Sequence, residues 1–211
     1  NCFPLLTTIG VIFKISTNKG LRSLSANFAP CLKTIGRASS TEGELIFTYN
    51  NLTSVPSDVF PVLEKMYGLL EISSEISLQS VEDFAPQLEL ITTDLIIHGN
   101  IRLTSMDCFP YLISIQKGLL ISANPVLKYI AYKNGFSNLQ HIGVKGIRIE
   151  SNLELNTENF NNLFPKLYEV AGNFDLNTNG FSQLTGGFAP QLRKIGGELY
   201  IANNGLQLLT G

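Results

Sequence analysis

The chain has 211 residues, 44% of them hydrophobic and 15% charged, and carries a net charge of -2. That length suffices for a sizeable core, and the charged share is well below the roughly 25% of an ordinary soluble domain. Lys and Arg are dispersed, which argues against a nucleic-acid or anionic-membrane surface, and no apolar run approaches the roughly 20 residues that span a bilayer.

One unit recurs along the whole sequence. Its copies begin at Phe3, Phe28, Phe60, Phe84, Phe109, Phe136, Phe164 and Phe188, in steps of 24 to 32 residues. A period of that length marks a solenoid. Each copy carries a Leu after the Phe, then Ile9, Ile35, Met66, Ile91, Ile115, Ile142, Val170 or Ile195. Two more apolar residues follow with a single residue between them, as in Leu119 and Ile121. That period of two predicts a short strand with two residues inward and one outward. An Asn closes the strand: Asn18, Asn50, Asn100, Asn124, Asn152, Asn179 and Asn204, with Glu75 alone breaking the column.

Coil 1 has its strand at Phe13-Lys14-Ile15. Coil 2 carries an insertion, Arg37-Ala38-Ser39-Ser40-Thr41-Glu42, polar enough to bulge as a loop. It also holds the sequon Asn51-Leu52-Thr53, a candidate N-glycan site. Coils 3 and 4 place Asp83, Asp94 and Asp107 in polar connections, read as solvated, and His98 outward on a strand. Coil 5 has a long return with Tyr129 and Tyr132, an aromatic pair suited to recognition or to covering the edge of the stack. Coil 6 slips by one residue, with Ile147 and Ile149 on its strand, and coil 8 repeats the rule at Leu199-Tyr200-Ile201. Most prolines fall beside the repeat Phe, where a fixed φ and a missing donor suit a bend.

Cys2 and Cys31 fall in adjacent coils, close enough for a bridge if the Phe-Pro corner brings their Cα atoms within roughly 7 Å. The alternative is that these two and Cys108 are small buried apolar residues. No motif with metal-ligand spacing accompanies His98 or His141, so no metal and no cofactor is expected.

An extra residue, often Gly as in Gly10, Gly36, Gly143 and Gly196, separates the Ile from the strand and makes a second corner. With a perimeter near 85 Å at roughly 3.3 Å per residue, the coil suits three short sides. The expected fold is all-β: a right-handed parallel β-solenoid of about eight coils, leucine-rich-repeat-like, with short helical turns at corners. It forms a single domain over residues 1–211, expected to be a fragment of a longer chain.

The pattern L-x-x-I-G-x-x-L-x-I-x-x-N-x-x-L, as in Leu192 to Leu206, resembles the receptor L-domain family. That family includes the ligand-binding domains of insulin- and EGF-type receptors and fungal GPI-anchored cell-wall proteins. The resemblance covers essentially all eight coils and implies a β-solenoid outside the cell.

The Asn column reads as structural, amides bonding one another and the corner backbone. The outward strand column, Lys14, Ile46, Glu71, Ile96, Leu120, Arg148, Asp175 and Tyr200, varies from coil to coil. A varying face suits recognition, and Ile96, Leu120, Arg148, Tyr200, Tyr129 and Tyr132 are the candidate binding residues. The expectation is a non-catalytic extracellular or cell-surface module that binds a protein or glycan. The alternative is a building block of a wall, matrix or filament, self-associating through solenoid ends. A glycan-cleaving enzyme needs paired carboxylates about 5–10 Å apart. Glu71 and Asp175 would lie near 19 Å apart at about 4.8 Å per coil, and nothing marks Glu150 and Asp175 as an acid/base pair.

Overall fold

In the computed structural model the described residues, 2–130, 135–156, 163–184 and 187–210, form a parallel β-solenoid of eight coils. Each coil contributes to two continuous eight-stranded sheets. The narrow sheet runs through two-residue strands such as Thr34–Ile35 and Ser114–Ile115. The wide sheet runs through Ile12–Ser16, Gly43–Thr48, Gly68–Ser73, Asp94–His98, Gly118–Ser122, Gly146–Glu150, Phe174–Asp175 and Leu199–Tyr200. A third side is strand only in part, from Ser54–Val55 to Tyr129–Ile130 and again at Gln183–Leu184 with Leu208–Leu209. Every pairing is parallel and joins a coil to the next. The coil thus has at least two strands where the sequence pattern predicts one, because the repeat Ile itself sits in the narrow ladder.

The helical turns expected at the corners do not form. Among the described residues the corner beside each repeat Phe is an isolated turn closed by an N–H reaching back three residues, as from Leu63 to Phe60 O and Leu112 to Phe109 O. The next N–H groups turn instead to the neighbouring coil, as Glu64 N does to Lys33 O and Ile113 N to Glu89 O. Inter-coil bonding satisfies the donors that a helix would have used. The insertion in coil 2 is an exposed loop with one turn, Ser40 N donating to Arg37 O. The one-residue slip of coil 6 is absorbed at Gly143–Gly146, where a turn restores Ile147 opposite Leu119.

The core is built of columns. The repeat phenylalanines pack edge-on or tilted from coil to coil, with ring centroids 5.4 Å apart at Phe3–Phe28, 5.3 Å at Phe60–Phe84, 6.4 Å at Phe84–Phe109 and 5.8 Å at Phe164–Phe188. Phe60, Phe84, Phe109, Phe136 and Phe164 are fully buried. The two inward strand columns, for example Leu95, Leu119 and Ile147, then Ile97, Ile121 and Ile149, fill the other side.

The asparagine column is a hydrogen-bonded ladder. The Asn124 Oδ1 accepts from the Asn100 backbone N–H at 3.0 Å and from Asn100 Nδ2 at 3.2 Å. The Asn124 Nδ2 donates to Ile97 O, Ser122 O and Asn152 Oδ1. Asn18, Asn50, Asn152, Asn179 and Asn204 repeat the theme. Glu75 is wholly buried in the same column, and its Oε1 accepts from both the backbone and the side-chain nitrogen of Asn50. A carboxylate can replace the accepting half of an amide but not the donating half. The residue ahead of each rung lies at positive φ: Thr17, Tyr49, Ser74, Gly99, Ala123, Ser151, Thr178 and Asn203. Only one of these is Gly, so sequence gives little warning of a left-handed corner in every coil.

Cys2 and Cys31 are exposed free thiols, so the Cys2–Cys31 bridge is not formed in this structure. Cys108 is buried, and burial together with the nearby Asp107 and Asp83 carboxylates pushes its thiol well above the usual range.

Candidate binding face on the wide sheet

Strand pleating sends alternate residues outward. In the wide sheet this makes one unbroken outward column in register, Lys14, Ile46, Glu71, Ile96, Leu120, Arg148, Asp175 and Tyr200. A parallel outward column holds Asp94, Gly118 and Gly146 on successive rungs. The two glycines leave a gap in the side-chain cover, which becomes a shallow groove of about 370 Å³. Ile96, Leu119 and Leu120 give it apolar lining, and Asp94, Lys145 and Arg148 give it charge.

The glycines are required by what surrounds them. A Cβ on Gly118 would stand 2.8 Å from the Lys145 Cβ and 3.2 Å from Asp94 Oδ1. Gly146 has φ +75 and a Cβ there would meet Asn173 O at 1.9 Å. Lys145 therefore passes across the Gly118 rung and donates to Asp94 Oδ2 at 2.8 Å, joining residues 51 apart in sequence. The Asp94 side chain is only 17% exposed, so it is not the freely solvated residue that the sequence implies. Arg148 pairs with Glu150 at 2.6 Å and stays 54% exposed. A guanidinium has five donors, so one such bond leaves it capacity for a partner.

Ile96, Leu120 and Arg148 thus meet in one groove. Tyr200 belongs to the same column but stands two rungs beyond Arg148, with Asp175 between them, and its hydroxyl donates to Glu198. The Glu198 carboxylate raises the Tyr200 phenol above its ordinary range. Tyr129 lies on the third side, paired with Ser105, and is not part of this face. Tyr132 lies outside the described residues. His98 is outward, with Nδ1 2.8 Å from Ser122 Oγ, and Asp107 Oδ1 accepts from Gly135 N at 2.8 Å. The sequence reading missed Lys145, Asp94 and the paired glycines as groove residues. The only available signal was a Gly at the same offset ahead of two neighbouring strands.

Asp175 is the strained member of the face. Burial and the Glu150 carboxylate raise its carboxyl, with Arg148 acting against them, and Oδ1 is buried without a hydrogen-bond partner among the described residues. Neither Glu150 nor Asp175 lines the groove. A raised folded-state pKa means that the fold favours the protonated acid. Its stabilising contribution is present at low pH and is lost as pH rises through the folded value. Asp175→Asn should therefore raise the thermal midpoint at neutral pH. The gain should shrink as pH falls through the ordinary aspartate range, where the parent carboxyl is neutral too. Melting curves of both proteins at neutral and mildly acid pH check this.

The end coils leave core columns uncovered: Phe3 at one end, Leu199 and Leu209 at the other. A further coil, of this chain or another, would cover such a surface. Among the described residues no group of three or more His, Cys, Asp or Glu is placed to hold a metal ion. Compared with known proteins, the chain matches no family model, no curated protein and no solved structure.

Proposed function

We propose that this chain is a non-catalytic extracellular or cell-surface module that binds a protein partner through the groove of the wide sheet. The observation that carries the reading is the convergence of Ile96, Leu120 and Arg148 on a groove kept open by Gly118 and Gly146. Inward columns and the asparagine ladder account for the fold, and these outward residues are surplus to it. An apolar floor rimmed by exposed cations suits a partner that offers an aliphatic or aromatic anchor beside a carboxylate. The L-domain-like repeat supports the extracellular setting.

The test uses the purified chain, fluorescently labelled, on the surface of the cells that produce it. Saturable, protease-sensitive binding is expected, and Ile96→Thr/Leu120→Thr should weaken it by at least about tenfold, the loss of more than ~1.4 kcal/mol. Undiminished binding by the double variant would remove the groove from the account.

A further inference from the structure

The sequon of coil 2 sits in a cleft of its own, away from the groove. The ladder residue here is Asn50, which is buried, whereas Asn51 turns out beside it. The cleft measures about 620 Å³ and is lined by Thr17, Lys19, Tyr49, Asn51, Ser74 and Ile76. That is the size of a small-molecule site, roughly 300–1,000 Å³. Its walls are two columns on adjacent rungs. Thr17, Tyr49 and Ser74 precede the ladder, and Lys19, Asn51 and Ile76 follow it.

Three observations single it out. Tyr49 is the one bulky residue among the left-handed positions just ahead of the ladder, at φ 56, where its counterparts are Thr, Ser, Gly, Ala and Asn. Phe109 and Phe136 adopt the same backbone region, but with their rings buried in the core, so what sets Tyr49 apart is a ring turned out to solvent from such a position. The small flanking residues Thr17 and Ser74 leave Tyr49 63% exposed, and Ile76 across the cleft is 56% exposed. Finally, the Asn51 amide is oriented, because Ser77 Oγ donates to its Oδ1.

We infer that Asn51 carries an N-linked glycan whose first sugar seats in this cleft against Tyr49 and Ile76. The donor is a lipid-linked oligosaccharide diphosphate. The Asn51 Nδ2 forms a bond to C1 of the first sugar while the C1–oxygen bond to the lipid diphosphate breaks. The diphosphate leaves with the electron pair, and one amide proton passes to the transferase. A pyranose has an apolar C–H face that packs on an aromatic ring. The covalent link supplies a high local concentration, so a weak contact is enough to hold the sugar. The inference rests on the extracellular reading, since the chain must pass a compartment that contains the transferase.

Translation of the chain behind a signal sequence into microsomes reads the transfer directly. A single glycan's mass shift is expected, and it should be absent from Asn51→Gln. Melting of purified secreted protein reads the seating. The glycosylated chain should melt about 2–4 °C above Asn51→Gln. That difference should vanish in a Tyr49→Ala background and persist in Tyr49→Phe. An unmodified Asn51 in microsomes overturns the inference, as does a glycan effect of equal size without the ring. Either failure leaves groove binding untouched, because the cell-surface assay reads that separately.

Discussion

Replacing Phe84 by alanine should cost the fold about 3–5 kcal/mol. Phe84 is fully buried and its ring contacts those of Phe47, Phe60 and Phe109, with centroids 5.6, 5.3 and 6.4 Å away. Truncation removes the transfer free energy of the ring and leaves a cavity between two coils. The neighbours cannot close it, because each is fixed by its own ladder bonds. In a solenoid each coil contacts only its neighbours, so a void at coil 4 weakens two interfaces at once. The expected drop in midpoint is roughly 6–20 °C, at about 2–4 °C per kcal/mol for a chain of this size. A calorimetric scan of the variant reads it.

The second large effect belongs to Asn124. Asn124→Ala creates no large void, yet it should cost about 2–4 kcal/mol. Two donors of Asn100 lose their acceptor, and Ile97 O and Asn152 Oδ1 lose a donor. All of these lie in the buried ladder, and a buried group left unpaired costs about 1–3 kcal/mol, less whatever water reaches it. Urea unfolding should show a lower midpoint with an unchanged slope, the mark of lost stability and not of a changed unfolded state. A loss below about 1 kcal/mol would mean that the ladder is decoration.

The scaffold was legible in the sequence to a large degree, because its signals are local. Leu119 and Ile121 announce their strand by alternation, and the Asn that follows is placed by the same spacing. The outward column from Lys14 to Tyr200 could be written down rung by rung, and the observed register follows it. What stayed hidden depends on neighbours far away in sequence. Asp94 reads as a solvated acid until Gly118 lets Lys145 reach it from two coils away. Tyr129 reads as a companion to the face until the corner carries it onto another side. The narrow strands are two residues long, too short for alternation to show. The left-handed corners are filled mostly by Thr, Ser, Ala and Asn, which give no cue comparable to glycine.

Groove and scaffold are separate in this account: the groove residues Ile96, Leu120 and Arg148 are free to recognise a partner because folding does not need them. The most direct measurement is the thermal midpoint of Ile96→Thr/Leu120→Thr, taken on the same protein used for cell binding. Both side chains are half-buried, so the predicted cost is about 1 kcal/mol, a shift of roughly 2–4 °C, together with lost binding. A fall as deep as that of Phe84→Ala would contradict it, since the face would then be part of the core.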